Sequence, residues 1–181
     1  TLSKVHESDI IHRDLTPNNI LIDEDGMPEI TDFGIGKTVF TRVSDTTGRT
    51  GLLGTRGYAA PEQFEEGADT DKYTDVFSIS ICLYEILTNG TRLKFDDKVT
   101  NIDYVPISKI NSNISSTVDE VIEKGLSIDH KNRFNNAGEM QIAFTKALVG
   151  NLKNLSQSLM SSKKEPESDR SPENILFELE N

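Results

Sequence analysis

Cysteine is nearly missing from this chain: among 181 residues, Cys82 stands alone. A single thiol excludes an intrachain disulfide framework and makes a reducing cytosol the expected compartment. Cys82 lies inside an apolar run from Ile79 to Leu87, which favours a small buried helix residue over a reactive thiol. Positive charge is scarce too, with 19 Lys and Arg against 30 Asp and Glu and a formal charge of −11. A nucleic-acid-binding surface needs a basic stripe, so that class of function is set aside, and the balance fits an acidic soluble protein. No apolar run reaches the ~18 residues that a membrane-spanning helix needs, and no signal-peptide pattern opens the chain. The first residue, Thr1, falls in mid-pattern, so the chain reads as a piece of a longer protein. With 35 % of residues apolar, it has enough to build one well-packed core.

Hydrophobic patterning outlines the elements. Ile20-Leu21-Ile22 and Glu29-Ile30-Thr31 flank the turn Asp23-Glu24-Asp25-Gly26, and Asp-Gly between β-prone runs predicts a hairpin over 20–31. This acidic turn is not a calcium loop, because Leu21 stands where the first aspartate ligand would belong. From Lys37 to Gly57 the chain is rich in Thr, Ser, Gly and Arg without periodicity, as expected of a functional or disordered loop. Tyr73 to Thr88 is apolar nearly all round and ends in Asn89-Gly90, which predicts a helix buried through the middle of the fold. Residues 91–113 read as loop with a short helix. Ser116–Leu126 and Ala137–Val149 read as amphipathic helices. Past Asn151 the composition shifts to Ser, Lys, Glu and Pro, and a disordered tail is expected from about Ser156, within a domain scheme of 1–150 and 151–181. Ser171-Pro172-Glu173 with Ile175, Leu176 and Leu179 has the makings of one more short helix, with serine as cap and proline in its first turn.

Three polar islands carry the chemistry: His12-Arg13-Asp14-Leu15 with Asn19, then Asp32-Phe33-Gly34, then Ala60-Pro61-Glu62. In this order and at these spacings they resemble the catalytic half of the eukaryotic-like protein kinase family, serine/threonine type. The resemblance covers residues 1 to about 150 and implies an α+β fold. It would be the family's large, mostly α-helical lobe, with a short β-hairpin carrying the catalytic and metal-binding loops, and without the small lobe. No glycine-rich phosphate loop, Val-Ala-Ile-Lys strand or partner glutamate occurs in the chain.

Phosphoryl transfer from ATP needs an oriented hydroxyl, Mg2+ against the phosphates, and oxygen ligands for that ion. The resemblance makes Asp14 the base, Asn19 and Asp32 the Mg2+ ligands, and Leu21 and Thr31 the floor of the adenine pocket. Phe33 would pack behind Asp32, and Gly34 would let the loop flip. It places Thr16 where the family carries a lysine that touches the transferred phosphate, a loss of charge that should slow the step. Gly54-Thr55-Arg56-Gly57-Tyr58-Ala59-Ala60-Pro61-Glu62 resembles the loop that receives a protein substrate, with Thr55 bonding near Asp14. Glu62 would pair with Arg133, and Asp75 would anchor the catalytic loop to the central helix. Ser80 replaces a usual glycine, a minor change of packing. The family pattern also implies that Arg13, buried beside Asp14, takes an anionic partner, with Lys37 as a second basic group, so phosphorylation would order the loop. Thr41, Ser44, Thr46, Thr47 and Thr50 are the candidates, Thr50 first and Thr47 second, modified by an upstream or trans-autophosphorylating kinase.

Two other readings are set against this one. Small-molecule phosphotransferases of the aminoglycoside or choline kinase type share a His-x-Asp…Asn loop but lack Phe-Gly after the metal aspartate and the Ala-Pro-Glu loop. A pseudokinase or truncated scaffold that acts by protein binding is compatible with Thr16 and the missing motifs, while the intact Asp14, Asn19 and Asp32 speak against lost chemistry.

Overall fold

The computed structural model describes residues 1–33, 43–44, 50–51, 57–65, 69–96 and 99–162. Its centre is the helix that the apolar run demands, Lys72–Leu87, which is the second helix, α2. Asp71 caps it, its carboxylate accepting from the Lys72 N–H at 2.7 Å, while the Thr74 hydroxyl accepts from the Asp71 N–H at 3.3 Å. Two of the orphan donors of a helix start are met in this way. At the other end Asn89 and Gly90 take left-handed φ of 55° and 91°, and the Gly90 N–H returns to the Glu85 carbonyl at 2.7 Å. That closure ends the helix where the Asn-Gly pair predicts.

Phe77 and Ile81 are 0 and 1 % exposed, and each such side chain contributes about 1.5–3 kcal/mol of transfer free energy. Burial is not uniform, because Ile86 near the C-terminal end is open to solvent. Against α2 packs α4 (Ser116–Gly125), through Val118 and Ile122, and on both rests α5 (Ala137–Ser162), through Met140 and Ala147. The close approach of α2 and α4 has a specific cause. A Cβ built on Gly125 would lie 2.0 Å from Ser80 Oγ, so the serine occupies space that only glycine leaves open. Its hydroxyl donates back to the Val76 carbonyl at 2.7 Å.

Short elements decorate this helical core. The predicted hairpin is β1 (Ile20–Ile22) paired antiparallel with β2 (Pro28–Ile30), Leu21 facing Glu29 across the ladder. The Asp23 carboxylate ties its turn by accepting from the Asp25 and Met27 N–H groups at 2.9 and 2.7 Å. A second pair, β3 (Val43–Ser44) with β4 (Thr50–Gly51), lies inside the stretch read as unpatterned loop. A third, β5 (Lys94–Phe95) with β6 (Ile102–Asp103), precedes the expected short helix, α3 (Ile107–Ile110).

Two features depart from the sequence reading. The first helix, α1 (Leu2–Glu7), carries too few residues to show a period, and its stability comes from packing on α5. The last helix continues past both Val149 and the expected start of disorder at Ser156, to Ser162. Asn151, which looks like the start of a polar tail, is a buried tether whose side-chain amide donates to the Asn113 carbonyl at 2.8 Å. No described helix is long and apolar enough to cross a membrane.

Candidate active site

The loop 12–19 owes its shape to a carboxylate that belongs to another element. Asp75, on the first turn of α2 and fully buried, accepts three N–H donors. The His12 backbone donates to Oδ2 at 2.7 Å, the Arg13 backbone to Oδ1 at 2.8 Å, and His6 Nε2 to Oδ2 at 3.0 Å. Such charge-assisted bonds are about twice as strong as neutral ones. His6 is itself constrained, because its Nδ1 accepts the Ala137 N–H at 3.0 Å, which leaves the proton on Nε2 to face Asp75. One imidazole therefore connects α1, the start of α5 and the carboxylate under the loop. The predicted anchoring role of Asp75 is what the structure shows; His6 had no signal in the sequence.

His12 repeats this logic inside the loop. Its Nδ1 accepts the Asp14 N–H at 3.2 Å, so Nε2 donates to the Thr31 carbonyl at 2.8 Å. The buried ring thereby joins the catalytic-loop candidate to the strand end that precedes Asp32, and Phe33 lies on it with ring centroids 4.8 Å apart. Asn19 closes the circuit. Its side-chain N–H donates to the Asp14 carbonyl at 2.8 Å, and its own carbonyl accepts the Thr31 N–H at 3.0 Å. With the amide nitrogen committed in this way, Asn19 Oδ1 is the atom left for a cation.

The backbone between these points is strained. Arg13 and Asp32 have φ of 66° and 54°, left-handed values that cost non-glycine residues on the order of 1–3 kcal/mol each. Both sit in the candidate site, and such strain clusters at functional sites. Arg13 departs from the expected burial. Its N–H is taken by Asp75 and its carbonyl by Gln63 Nε2 at 2.8 Å, so the backbone faces inward and the side chain is exposed. Thr16 is buried, at 3 % exposure, and its carbonyl accepts the Asn19 N–H at 3.0 Å. Asp32 and Leu21 are exposed, Thr31 half-buried.

Ala60-Pro61-Glu62 is locked to this loop by two interactions. Gln63, unremarked in the sequence, accepts the Ala60 N–H at 2.9 Å and donates to Arg13. Glu62 and Arg133 form the expected buried pair in fork-to-fork geometry, at 2.8 and 2.9 Å. Beside Gly57-Tyr58-Ala59 opens a cleft of about 340 Å³ walled by Phe64, Glu85 and Leu93. There burial and the Glu85 carboxylate, 2.8 Å from the phenol, push the Tyr58 hydroxyl up to about 12. Cys82 is buried as expected, and burial likewise raises its thiol to about 12. Gly34, Lys37, Thr41, Thr46, Thr47 and Gly54-Thr55-Arg56 lie outside the described residues; for Ser44 and Thr50 only the β3–β4 backbone pairing is described.

A helical lobe with this braced loop, an adjoining acidic turn and a salt-bridged Ala-Pro-Glu segment defines the class: the catalytic lobe of a kinase. The comparisons agree. Residues 1–145 match the model of the protein kinase domain. A probable serine/threonine-protein kinase of Clostridium perfringens is 36% identical over 145 residues, covering 77% of this chain and 21% of the relative. The serine/threonine-protein kinase PknB of Mycobacterium tuberculosis is 32% identical over 142 residues, covering 75% and 22%. Among solved structures, the apo form of PpkA-294 superposes with a TM-score of 0.62 at 21% identity, over 79% of this chain and 49% of that one. The PknI kinase domain of M. tuberculosis gives 0.58 at 20% identity, over 80% and 50%. The chain belongs to the protein kinase family, among the eukaryotic-like serine/threonine type. It spans about a fifth of the length of its curated relatives and about half of the solved kinase chains.

Proposed function

We infer that the full-length protein transfers the γ-phosphoryl group of ATP to a serine or threonine hydroxyl of a protein substrate in the cytoplasm. The observation that carries this reading is the grip of Asp75 on the His12 and Arg13 backbone, which holds Asp14 on a rigid loop. In this role Asp14 accepts the substrate hydroxyl proton and aims the oxygen. Asn19 Oδ1 and the exposed Asp32 carboxylate form the hard-oxygen donor set that suits Mg2+. Bound with ATP, the ion supplies neutralisation of the phosphate charge. Leu21 and Thr31 present the surface on which the adenine rests. Thr16 offers no cation to the transferred phosphate, and its burial gives it a part in holding the loop. Arg13, exposed beside Asp14, is available to an anionic group such as phosphorylated Thr50 or Thr47, placed there by an upstream or second kinase molecule.

The test is phosphoryl transfer by the full-length protein, wild type against Asp14→Asn. Loss of at least about 100-fold in kcat with an unchanged unfolding midpoint is expected. Undiminished transfer would remove Asp14 from the chemistry. The 181 residues alone are expected to bind ATP weakly and to be nearly inactive, since the phosphate-clamping motifs are not among them; tight binding in an ATP titration contradicts this. The buried, uncharged Thr16 also favours a second reading, a pseudokinase or scaffold lobe that works by protein binding. Transfer by the wild type that is lost with Asp14 decides against it.

A further inference from the structure

The Arg13–Asp14 peptide, which sets the direction in which the Asp14 side chain leaves the backbone, is held at both of its polar ends. Its N–H donates to His12 Nδ1 at 3.2 Å, and its carbonyl accepts Gln63 Nε2 at 2.8 Å. The neighbouring peptides are gripped as well, the Arg13 N–H by Asp75 at 2.8 Å and the Asp14 carbonyl by Asn19 at 2.8 Å. His12, Asp75 and Asn19 lie in the loop itself or on α2 beneath it. Gln63 differs, because it reaches over from the single 3-10 turn Pro61–Phe64, 50 residues along the chain. That segment's other holds lead elsewhere: Ser78 Oγ donates to the Tyr58 carbonyl at 2.7 Å, and Glu62 pairs with Arg133. An amide is also the side chain that suits the place. While Nε2 donates to Arg13, Oε1 accepts the Ala60 N–H at 2.9 Å, and a carboxylate or an ammonium meets one of these needs but not both. Gln63 is buried, so water is a poor substitute for either bond.

We propose that Gln63 is a positioning residue for phosphoryl transfer, registering the Ala-Pro-Glu segment against the Arg13–Asp14 peptide and so fixing the aim of Asp14. The inference rests on the kinase reading and adds to it a residue that acts through the backbone of the base. The physical reason is strain. Arg13 holds a left-handed φ of 66°, which a non-glycine residue keeps only where its surroundings over-determine it. Without the Gln63 donor the Arg13 carbonyl loses its side-chain partner. The peptide plane then relaxes about the long bond to His12 and tilts the Asp14 Cα–Cβ bond. A misplacement of about 1 Å at a reacting group costs on the order of 100-fold in rate. The segment that carries Gln63 resembles the one that receives a protein acceptor, so the same bond ties the place of the acceptor to the place of the base.

The test compares wild type, Gln63→Leu and Gln63→Glu in the full-length protein, with γ-labelled ATP, casein as a generic serine- and threonine-bearing acceptor, and autophosphorylation read in parallel. Gln63→Leu is expected to lower kcat by about 10- to 100-fold while KM for ATP changes by less than about twofold, since the lost contact acts on the transition state. Gln63→Glu supplies a readout that a merely structural part would not move. Ionised, it sets a carboxylate against the Arg13 carbonyl. Protonated, its O–H donates to that carbonyl while the other oxygen accepts from Ala60, so both bonds return. Burial and the facing carbonyl favour the protonated form. Its kcat relative to wild type should therefore climb at least about fivefold from about pH 8 to about pH 6, with the Gln63→Leu ratio flat over that range. Should Gln63→Leu not fold, the Gln63→Glu profile decides by itself. Wild-type transfer that Gln63→Leu leaves undiminished, or a Gln63→Glu ratio that stays depressed and flat with pH, would overturn the positioning role while the kinase reading stands. Absence of transfer by the wild type itself would overturn both.

Discussion

Removing Glu62 is expected to be among the most damaging single changes in this lobe. Arg133 has five N–H donors, and all five are engaged. Nε donates to the Ser127 carbonyl, Nη1 to Glu62 and the Tyr73 carbonyl, and Nη2 to Glu62 and the Ile128 carbonyl. Glu62 also accepts the Thr74 hydroxyl at 2.9 Å. Glu62→Ala therefore strands two guanidinium donors, one hydroxyl and an uncompensated charge in a site where Arg133 is 4 % exposed. Stranded donors at ~1–3 kcal/mol each bound the loss from above, and measured breakage of buried pairs places it at about 3–5 kcal/mol. Urea unfolding with a constant slope reads this directly. Arg133→Met should cost a comparable amount. The double variant should cost much less than the sum, because the buried charge leaves with its partner. Should Glu62→Ala not fold, Glu62→Gln, which keeps one acceptor, gives a smaller loss of the same sign. A Glu62→Ala loss below about 1 kcal/mol, or strict additivity in the cycle, would refute the reasoning.

Other outcomes follow from the same geometry. Gly125→Ala drives a Cβ into Ser80 and should destabilise by about 1–3 kcal/mol, with partial recovery in Gly125→Ala/Ser80→Gly, measured by thermal melts. His6→Phe removes a donor to Asp75 and the acceptor for Ala137 N–H; about 2 kcal/mol of stability and the exchange protection of the His12 and Arg13 amides should go with it. Cys82 and Tyr58 are neutral when protonated, and burial raises both to about 12, from ordinary values of 9.0 and 10.0. Their contribution to stability is therefore whole below pH 9 and falls as pH rises from there toward 12, with the unfolding midpoint dropping and Cys82 resisting thiol reagents in the native protein at neutral pH.

Much of the candidate site was legible because its residues are close in sequence. His12 to Asn19 and Asp32-Phe33 carry their spacing in the chain itself, and the hairpin between them has an Asp-Gly turn to announce it. His6 and Gln63 left no such trace. A single buried histidine and a glutamine after Ala-Pro-Glu have no period and no motif, and their meaning depends on partners far along the chain, Asp75 and Ala137 for one, Arg13 for the other. Arg13 was misread for a related reason: type and neighbours suggest burial, but left-handed backbone at that residue turns the peptide inward and the guanidinium out.

By itself the sequence determined the helices with strong periodicity and caps, α2 above all, together with the family and the motif residues on which the candidate site is proposed. These depend on local backbone preference and on apolar spacing within a turn or two. The tertiary structure alone decided which polar groups satisfy one another, why Gly125 admits Ser80, and how far α5 extends beyond Asn151. Those outcomes rest on long-range burial and donor–acceptor matching, which no window of the chain contains.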